Sequence, residues 1–432
     1  MTILGIGGIL NDPAAAVMKG GRLTAAVEEK KLSRNMRLGE LPDMAIDACL
    51  KLAGCGRNDV DCVALVRPFS EGPETAMHLE VRAEFPNSRI VLVEHHTAHA
   101  ASAYYPSPFE NATVLSLDRA GDFRCGARWR ARGNELHLEK EMYYPDSLGE
   151  LYGRVTDLLG FKPSADEHKV QWLSVLGDER YTGLFLEMLS AGNGEWPRLD
   201  RSYFDAERRG RGGFSARFYD RLGIADRSPL APEAGSALAR ALQNMIEKTV
   251  LEMAGTGENL CLAGGLALNT LLVAALEGSG RWKNVFVQPA AGNAGTALGA
   301  VFHAWHGVYG QASRTDLGDF CLGPGFSAEE IKQVLENCKL RFRYLLTAGE
   351  LIETAVRELN DLRIVAWMHG RMEFGSRALG NRSILASPLN PYSTENLNLY
   401  IKHREPFRKF AASVPAELAG EYFEVGPNAR FL

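Results

Sequence analysis

The chain is predicted to be an α/β protein with two copies of one unit, followed by a smaller basic region. Three observations carry this reading. A strand, Gly-acid loop, strand, Gly turn, strand order occurs twice, segments of helical period fill the gaps, and the charge changes sign toward the C-terminal end. At about 150 residues per domain, 432 residues suggest two or three domains. A composition of 46% hydrophobic and 23% charged residues excludes a disordered chain. The net charge of -5 argues against a nucleic-acid partner.

The first copy runs through Thr2–Ile6, the Asn11-Asp12 loop, Ala14–Met18, the Lys19-Gly20-Gly21 turn and Leu23–Val27. The second runs through Thr113–Leu117, Asp118-Arg119-Ala120-Gly121-Asp122, Cys125–Trp129, the Arg132-Gly133-Asn134 turn and Leu136–Tyr143. This is the layout of the duplicated ribonuclease-H-like fold of actin, sugar kinases and chaperone ATPases. Ser147-Leu148-Gly149-Glu150 reads as a capping box ahead of an apolar helical stripe, Leu148 to Leu159. Pro232 suits the first turn of a helix whose face carries Leu238, Leu242, Met245, Ile246, Thr249 and Met253. The Arg- and Gly-rich tract from Arg201 to Arg221 reads as a solvated loop rather than an RNA-binding tract.

Several motifs can carry chemistry. Ile90 to Val93 leads into His95-His96-Thr97-Ala98-His99, a strand feeding a helix. His95 and His99 then share one helical face, as a metal pair or as two packed histidines. The loop from Asp118 to Asp122 can hold phosphate, Mg²⁺ or a hydroxyl, or be an ordinary acidic turn. Gly264-Gly265 opens a helix with Asn269 in its first turns, a place where backbone N–H groups can meet a nucleotide. The small-residue loop Pro289 to Gly299 allows close approach of a ligand, or tight packing. Gly370 to Lys409 carries seven basic and three acidic residues, +4 in a chain whose remainder is -9. Arg377, Arg382, Lys402, Arg404 and Arg408 suit a small anion, since guanidinium forks bind phosphate or carboxyl oxygens bidentately.

At these residues the sequence resembles the O-carbamoyltransferases of nodulation-factor and antibiotic biosynthesis. These are related to the tRNA threonylcarbamoyladenosine machinery. The resemblance rests on GRMEFGSRALGNRSIL (370–385), with VEEKKLSR (27–34), HHTAHAASAYYPSPF (95–109), SLGELYGRVTDLLGF (147–161), LAGGLALN (262–269) and KHREPFRKFA (402–411). It implies a duplicated ribonuclease-H-like carbamoyl-transfer domain at 1–315. A threonylcarbamoyl-AMP-synthase-like α/β region follows at 316–432, shortened relative to the family. It also implies ATP with Mg, carbamoyl phosphate, a small hydroxylated acceptor, and iron or another divalent metal. The family iron sits on the two histidines of HxxxH and one aspartate. Here the implied set is His95, His99 and Asn293, because Gly292-Asn293-Ala294-Gly295 stands where GDAG is usual. A neutral amide is a weaker ligand for a hard cation, so less bound iron is expected. Asn11-Asp12 replaces a usual His-Asp, Ser376 a usual proline, and Gln171-Trp172 a usual Met-Gly.

The expected activity is an ATP-dependent carbamoyl transfer from carbamoyl phosphate, through carbamoyl-adenylate, to a hydroxyl of a small molecule in secondary metabolism. Asp12, Asp118 or Asp122 would accept the hydroxyl proton. Gly264, Gly265 and Asn269 would face the nucleotide, and the basic cluster the phosphate. A degenerate homologue that binds without transferring, or needs a partner chain, is the alternative. Seven cysteines without a CxxC fit a reducing cytoplasm. No apolar run reaches the roughly 18 residues of a membrane span, and the first residues lack a basic signal-peptide start. A homo-oligomer or a partner subunit is expected to cover the short second region, or else that region is expected to pack closely on residues 1–315.

Overall fold

The computed structural model describes residues 1–431 except 35–36, 68–73, 191–195, 206–210, 226–229 and 315–316. The chain divides into two compact units, Met1–Leu317 with Val414–Leu432, and Gly318–Ser413.

The first unit holds two five-stranded sheets. In one, β1 (Thr2–Gly7), β2 (Ala14–Lys19) and β3 (Arg22–Glu28) form an antiparallel meander. Parallel strands β4 (Cys62–Val66) and β5 (Arg89–Val93) extend it, in the order β3-β2-β1-β4-β5. The other sheet is built from β6 (Asn111–Gly121), β7 (Arg124–Arg132) and β8 (Glu135–Tyr143), again an antiparallel meander. A two-residue pair, β9 (Leu189–Ser190) and β10 (Arg198–Leu199), intervenes before parallel strands β11 (Gly257–Ala263) and β12 (Trp282–Val287). Read from its β8 edge, this sheet runs β8-β7-β6-β11-β12, the same order with the same strand directions. Two identical topologies in sequence make this the duplicated ribonuclease-H-like fold.

The central strands are apolar on both faces because helices cover them. Every residue of β1 and of β4 is buried. Connections between strands include α1 (Asp43–Leu52), α2 (Glu74–Glu84) and α3 (His95–Tyr104) in the first copy. The second copy contributes α4 (Leu148–Leu158), α5 (Glu167–Ser174), α6 (Thr182–Glu187), α7 (Ala216–Leu222), α8 (Pro232–Ala254) and α9 (Thr270–Gly278), then α10 (Thr296–Phe302). Ser147 caps α4 by accepting from Glu150 N–H, and Pro232 opens α8, whose six expected face positions are all buried. Helix α10 packs against both β1 and α3. A Cβ at Gly299 would collide with the Ala98 carbonyl oxygen, and one at Gly5 with that of Ala297. The small residues of 289–299 thus serve close packing. The tract from Arg201 to Arg221 includes 206–210, which lie outside the described residues. Its Arg201, Arg217 and Arg221 pair with Asp146, Asp200 and Glu187. No helix among the described residues is long and apolar enough to cross a membrane.

The second unit holds α11 (Ala328–Asn337), α12 (Ala348–Asn360) and an antiparallel ribbon of β13 (Val365–Met368) and β14 (Arg382–Leu385). Neither helix has a buried residue. Its buried apolar side chains among the described residues are Phe320, Leu322, Phe374 and Leu397. Residues 414–432, which the sequence reading places with the second region, group with the first unit. Asn428 Oδ1 accepts from Val287 N–H at 2.9 Å, and its Nδ2 donates to Val285 O at 2.8 Å.

Candidate active site

The site grows from the two equivalent Gly-acid loops and the helix between the sheets. β5 ends at Val93, and Glu94 caps α3 by accepting from His96 N–H at 3.0 Å and Thr97 N–H at 2.7 Å. Arg124 holds Glu94 Oε2 at 2.9 Å. His95 therefore sits in the first turn of α3, and His99 lies one turn later on the same face.

β6 delivers Asp118 to that face. Its Oδ2 is 3.0 Å from His95 Nε2 and 3.2 Å from His99 Nε2, and the two Nε2 atoms are 3.1 Å apart. Asp118 Oδ1 accepts the N–H of Arg119 at 2.8 Å. Three glycines make room. A Cβ on Gly121 would overlap the His95 ring, one on Gly149 would press on Arg119, and one on Gly264 would strike the Leu117 carbonyl. Gly264 also has φ +91°, a conformation that suits glycine. His96 faces away, with Nδ1 2.9 Å from Ser116 Oγ and Nε2 3.0 Å from Arg124 O.

Burial alone would raise the Asp118 pKa, but hydrogen bonds with His95 and His99 hold it well below the carboxylate range. Burial opposes a charge on His95, yet Asp118 outweighs it and raises that imidazole. Burial dominates at His99 and lowers it, and at His96 burial with both neighbouring imidazoles lowers it far.

His95 opens onto a cavity of about 420 Å³, lined also by Gly8, Leu10, Asn11, Arg67, Asp122, Phe123, Tyr144 and Asn293. Burial raises the Asp122 carboxyl, and Arg67 Nε stands 3.9 Å from its Oδ1. Asp12 is not among the lining residues; Lys30 Nζ holds its carboxylate at 2.8 Å. Asn293 lines the cavity with a buried Oδ1 that has no hydrogen-bond partner among the described residues.

Two imidazoles and one carboxylate whose ligand atoms lie within 4.8 Å of one another fit a divalent transition cation. The carboxylate is Asp118, which sequence reading names as a proton acceptor, while Asn293, which the sequence reading puts in the metal set, lines the cavity that His95 borders. Of the nucleotide candidates, Gly264 and Gly265 pack on β6 at Leu117 and Asp118. Asn269 is occupied as a cap and as a lock. Its Oδ1 accepts from Leu272 N–H at 3.1 Å, and its Nδ2 donates to Gln243 Oε1 at 2.8 Å.

In the second unit, Glu373 Oε1 gathers the backbone N–H groups of Leu379, Asn381 and Arg382 at 3.0, 2.7 and 2.9 Å, which shapes the 370–385 loop. Arg382 is a strut, donating to the carbonyls of His369, Gly370 and Asn381. Arg404 donates to Asn398 Oδ1 at 2.7 Å and stacks over Phe410. Arg408 stands 3.8 Å from Glu405, and Lys402 is exposed. Arg377 is partly buried with no acidic partner among the described residues; burial, then Arg408, disfavours its charge. Sequence reading did not single out Glu94, Arg67, Phe123, Tyr144 or Glu373 for these positions. The signal for the first four was their place at strand ends and hairpin tips next to the duplicated loops.

A family model described as "Carbamoyltransferase N-terminus" matches residues 74–302, and one described as "Carbamoyltransferase C-terminus" matches 356–432. The chain is 35% identical to the uncharacterized protein sll1178 of Synechocystis, over all of this chain and 78% of that one. It is 31% identical to the nodulation protein NolNO of Sinorhizobium fredii, over 98% of this chain and 65% of NolNO. It is 33% identical to the nodulation protein NolO of Bradyrhizobium diazoefficiens, over 79% of this chain and 61% of NolO. Among solved structures, component A of the Acidaminococcus fermentans (R)-2-hydroxyglutaryl-CoA dehydratase aligns with a TM-score of 0.44 at 13% identity. That alignment covers 70% of this chain and 97% of the other.

Proposed function

The chain belongs to the carbamoyltransferase family, and on that premise we propose that it is an ATP-dependent O-carbamoyltransferase acting on a small hydroxylated molecule in secondary metabolism. In this reading the second unit takes carbamoyl phosphate and ATP with Mg. Water would cleave carbamoyl phosphate to carbamate and inorganic phosphate, and a carbamate oxygen would attack the α-phosphorus of ATP, forming carbamoyl-adenylate as pyrophosphate departs. The first unit then moves it to the acceptor hydroxyl, and AMP leaves.

The observation that carries this reading is Arg377. A guanidinium withdrawn from water beside a second guanidinium, Arg408, and without an acid is costly unless an anion joins it. Arg404 and Arg408 would share that anion, with Lys402 at the exposed edge.

His95, His99 and Asp118 would hold a divalent cation, which supplies Lewis-acid polarisation of a carbonyl or of an acceptor hydroxyl. Asp122, which lines the cavity and whose carboxyl is raised by burial, would accept a hydroxyl proton. His95 borders the same cavity, and Asn11 and Asn293 offer amides for positioning. Asp12 would act through Lys30 rather than directly.

The test is carbamoyl-phosphate-dependent exchange between ATP and pyrophosphate, followed by transfer of labelled carbamoyl to an added alcohol. Absence of exchange from well-folded protein would sink the reading. The alternative, binding without transfer, is favoured by the neutral amides of Asn11 and Asn293 on the cavity wall, and predicts ligand binding with neither exchange nor product.

A further inference from the structure

Between β13 and β14 the chain runs through 369–381 without a helix or a strand. Gly375 and Gly380 have φ +118° and +104°, a backbone conformation open to glycine. They flank a tip on which Ser376 and Ala378 are exposed and Arg377, between them, is partly buried. A long connection with a glycine on each side of its tip samples many conformations unless something holds it.

Glu373 is what holds it. Its two neighbours are fixed first. Met372 N–H donates to Pro324 O at 3.0 Å, and Phe374 N–H donates to Phe320 O at 2.7 Å. From that base the carboxylate, only 3% exposed, reaches the returning arm of the loop. There its Oε1 accepts the N–H groups of Leu379, Asn381 and Arg382. Burial alone would raise this carboxyl, but the backbone N–H groups hold it below its ordinary range, so it is charged at neutral pH.

Backbone N–H groups gathered in a turn form the kind of nest that takes a phosphate. Here the protein's own carboxylate fills the nest, so these N–H groups are not open to a ligand. An anion at this loop must then be met by side chains, and Arg377 is the guanidinium at its tip.

We infer that Glu373 is a positioning residue, which orders the loop so that Arg377 is set for an anion before the anion arrives and which does not itself touch the anion. The inference rests on the reading of Arg377 as a carbamoyl phosphate ligand. Charge and position predict opposite signs. A carboxylate near an anion repels it, so by charge alone the loss of Glu373 would tighten binding. By position, its loss weakens binding.

The experiment is calorimetry of carbamoyl phosphate with the full chain and with Glu373→Gln, Glu373→Asp, Arg377→Ala and the double variant Glu373→Gln/Arg377→Ala. Glutamine keeps the shape and gives up the charge-assisted bonds, and aspartate keeps the charge and shortens the reach. Each should weaken binding about fivefold or more. On the Arg377→Ala background, Glu373→Gln should change affinity by less than about twofold, because the residue acts through Arg377. Hydrogen exchange of the 374–382 segment should quicken in both Glu373 variants and stay unchanged in Arg377→Ala. Unchanged or tighter binding by Glu373→Gln would overturn the inference. So would a lowered urea midpoint with unchanged affinity, which is what a purely structural carboxylate gives. An equal loss on both backgrounds would overturn it too, since Glu373 would then not act through Arg377. Absence of binding by the well-folded wild-type chain removes the anion-site reading and this inference with it. Wild-type binding with unaltered Glu373 variants removes this inference alone.

Discussion

The two units hold their charged groups by different means. In the first, Asp118, His95 and His99 are locked between β6 and α3, with glycines at 121, 149 and 264 shaved to let the backbone close on them. In the second, Arg377, Arg404 and Arg408 stand on loops shaped by Glu373 and Asn398, and α11 and α12 hold no fully buried residue. A group held by close packing has its geometry set before any ligand arrives, and a group held by loop hydrogen bonds can adjust to one. The difference teaches where single atoms should matter. The first unit should respond to a methyl group and the second chiefly to a change of charge.

The most severe test of that contrast is Gly264→Ala. The new methyl meets the Leu117 carbonyl in a left-handed conformation, so unfolding free energy should fall by about 3 kcal/mol or more. Urea denaturation checks it, and an unchanged midpoint would show that the closure on β6 is looser than described.

Next is Asp118→Asn, which removes the charge shared by two imidazoles. Stability of the metal-free chain near neutral pH should drop by about 1.5–3 kcal/mol. The folded-state pKa of Asp118 lies below its ordinary value of 3.8. Its stabilisation is therefore complete above that value and is lost as pH falls through the lowered one. Denaturation of wild type and variant across pH 7 to 3 should show curves that converge on the acid side; a constant gap would break the assignment.

Asn293→Asp sharpens the same site. A carboxylate added on the wall of the cavity that His95 borders should tighten Mn²⁺ or Fe²⁺ binding about tenfold, read by calorimetry. Equal affinity would place Asn293 outside the cation's reach. The wild-type chain should accordingly hold less iron than a relative with aspartate there, which elemental analysis measures.

In the second unit, Arg377→Ala should weaken carbamoyl phosphate binding about tenfold while shifting stability by no more than about 0.5 kcal/mol. Loss of stability without loss of binding would make Arg377 a packing residue. The smallest effect is expected for Val334→Lys on α11, again within about 0.5 kcal/mol, because Val334 is exposed. A large loss there would show that something covers that face in solution.

Much of the fold was legible because strand order and turn chemistry are local. Both meanders begin and end within a residue or two of their apolar runs, Ser147 and Pro232 open the helices they signal, and the HxxxH spacing places His95 and His99 on one face. The division of labour among acids was not legible. Asp12, Asp118 and Asp122 look alike in sequence, yet one pairs with Lys30, one with two histidines and one with Arg67. Which acid meets which base depends on strands far apart in the chain.

Arg382 and Asn269 make the same point. Each has the right chemistry for a ligand, and each is occupied by the protein itself, Arg382 by three carbonyls and Asn269 by Gln243 and the start of α9. Residue type determines what a side chain can bind, and periodicity determines which element carries it. Whether that side chain is left open is decided by packing, because a hydrogen bond made inside the fold uses the same donors and acceptors that a ligand needs. The sequence alone therefore determined the duplicated α/β plan and the inventory of possible ligands. Tertiary structure decided which of them reach the cavity.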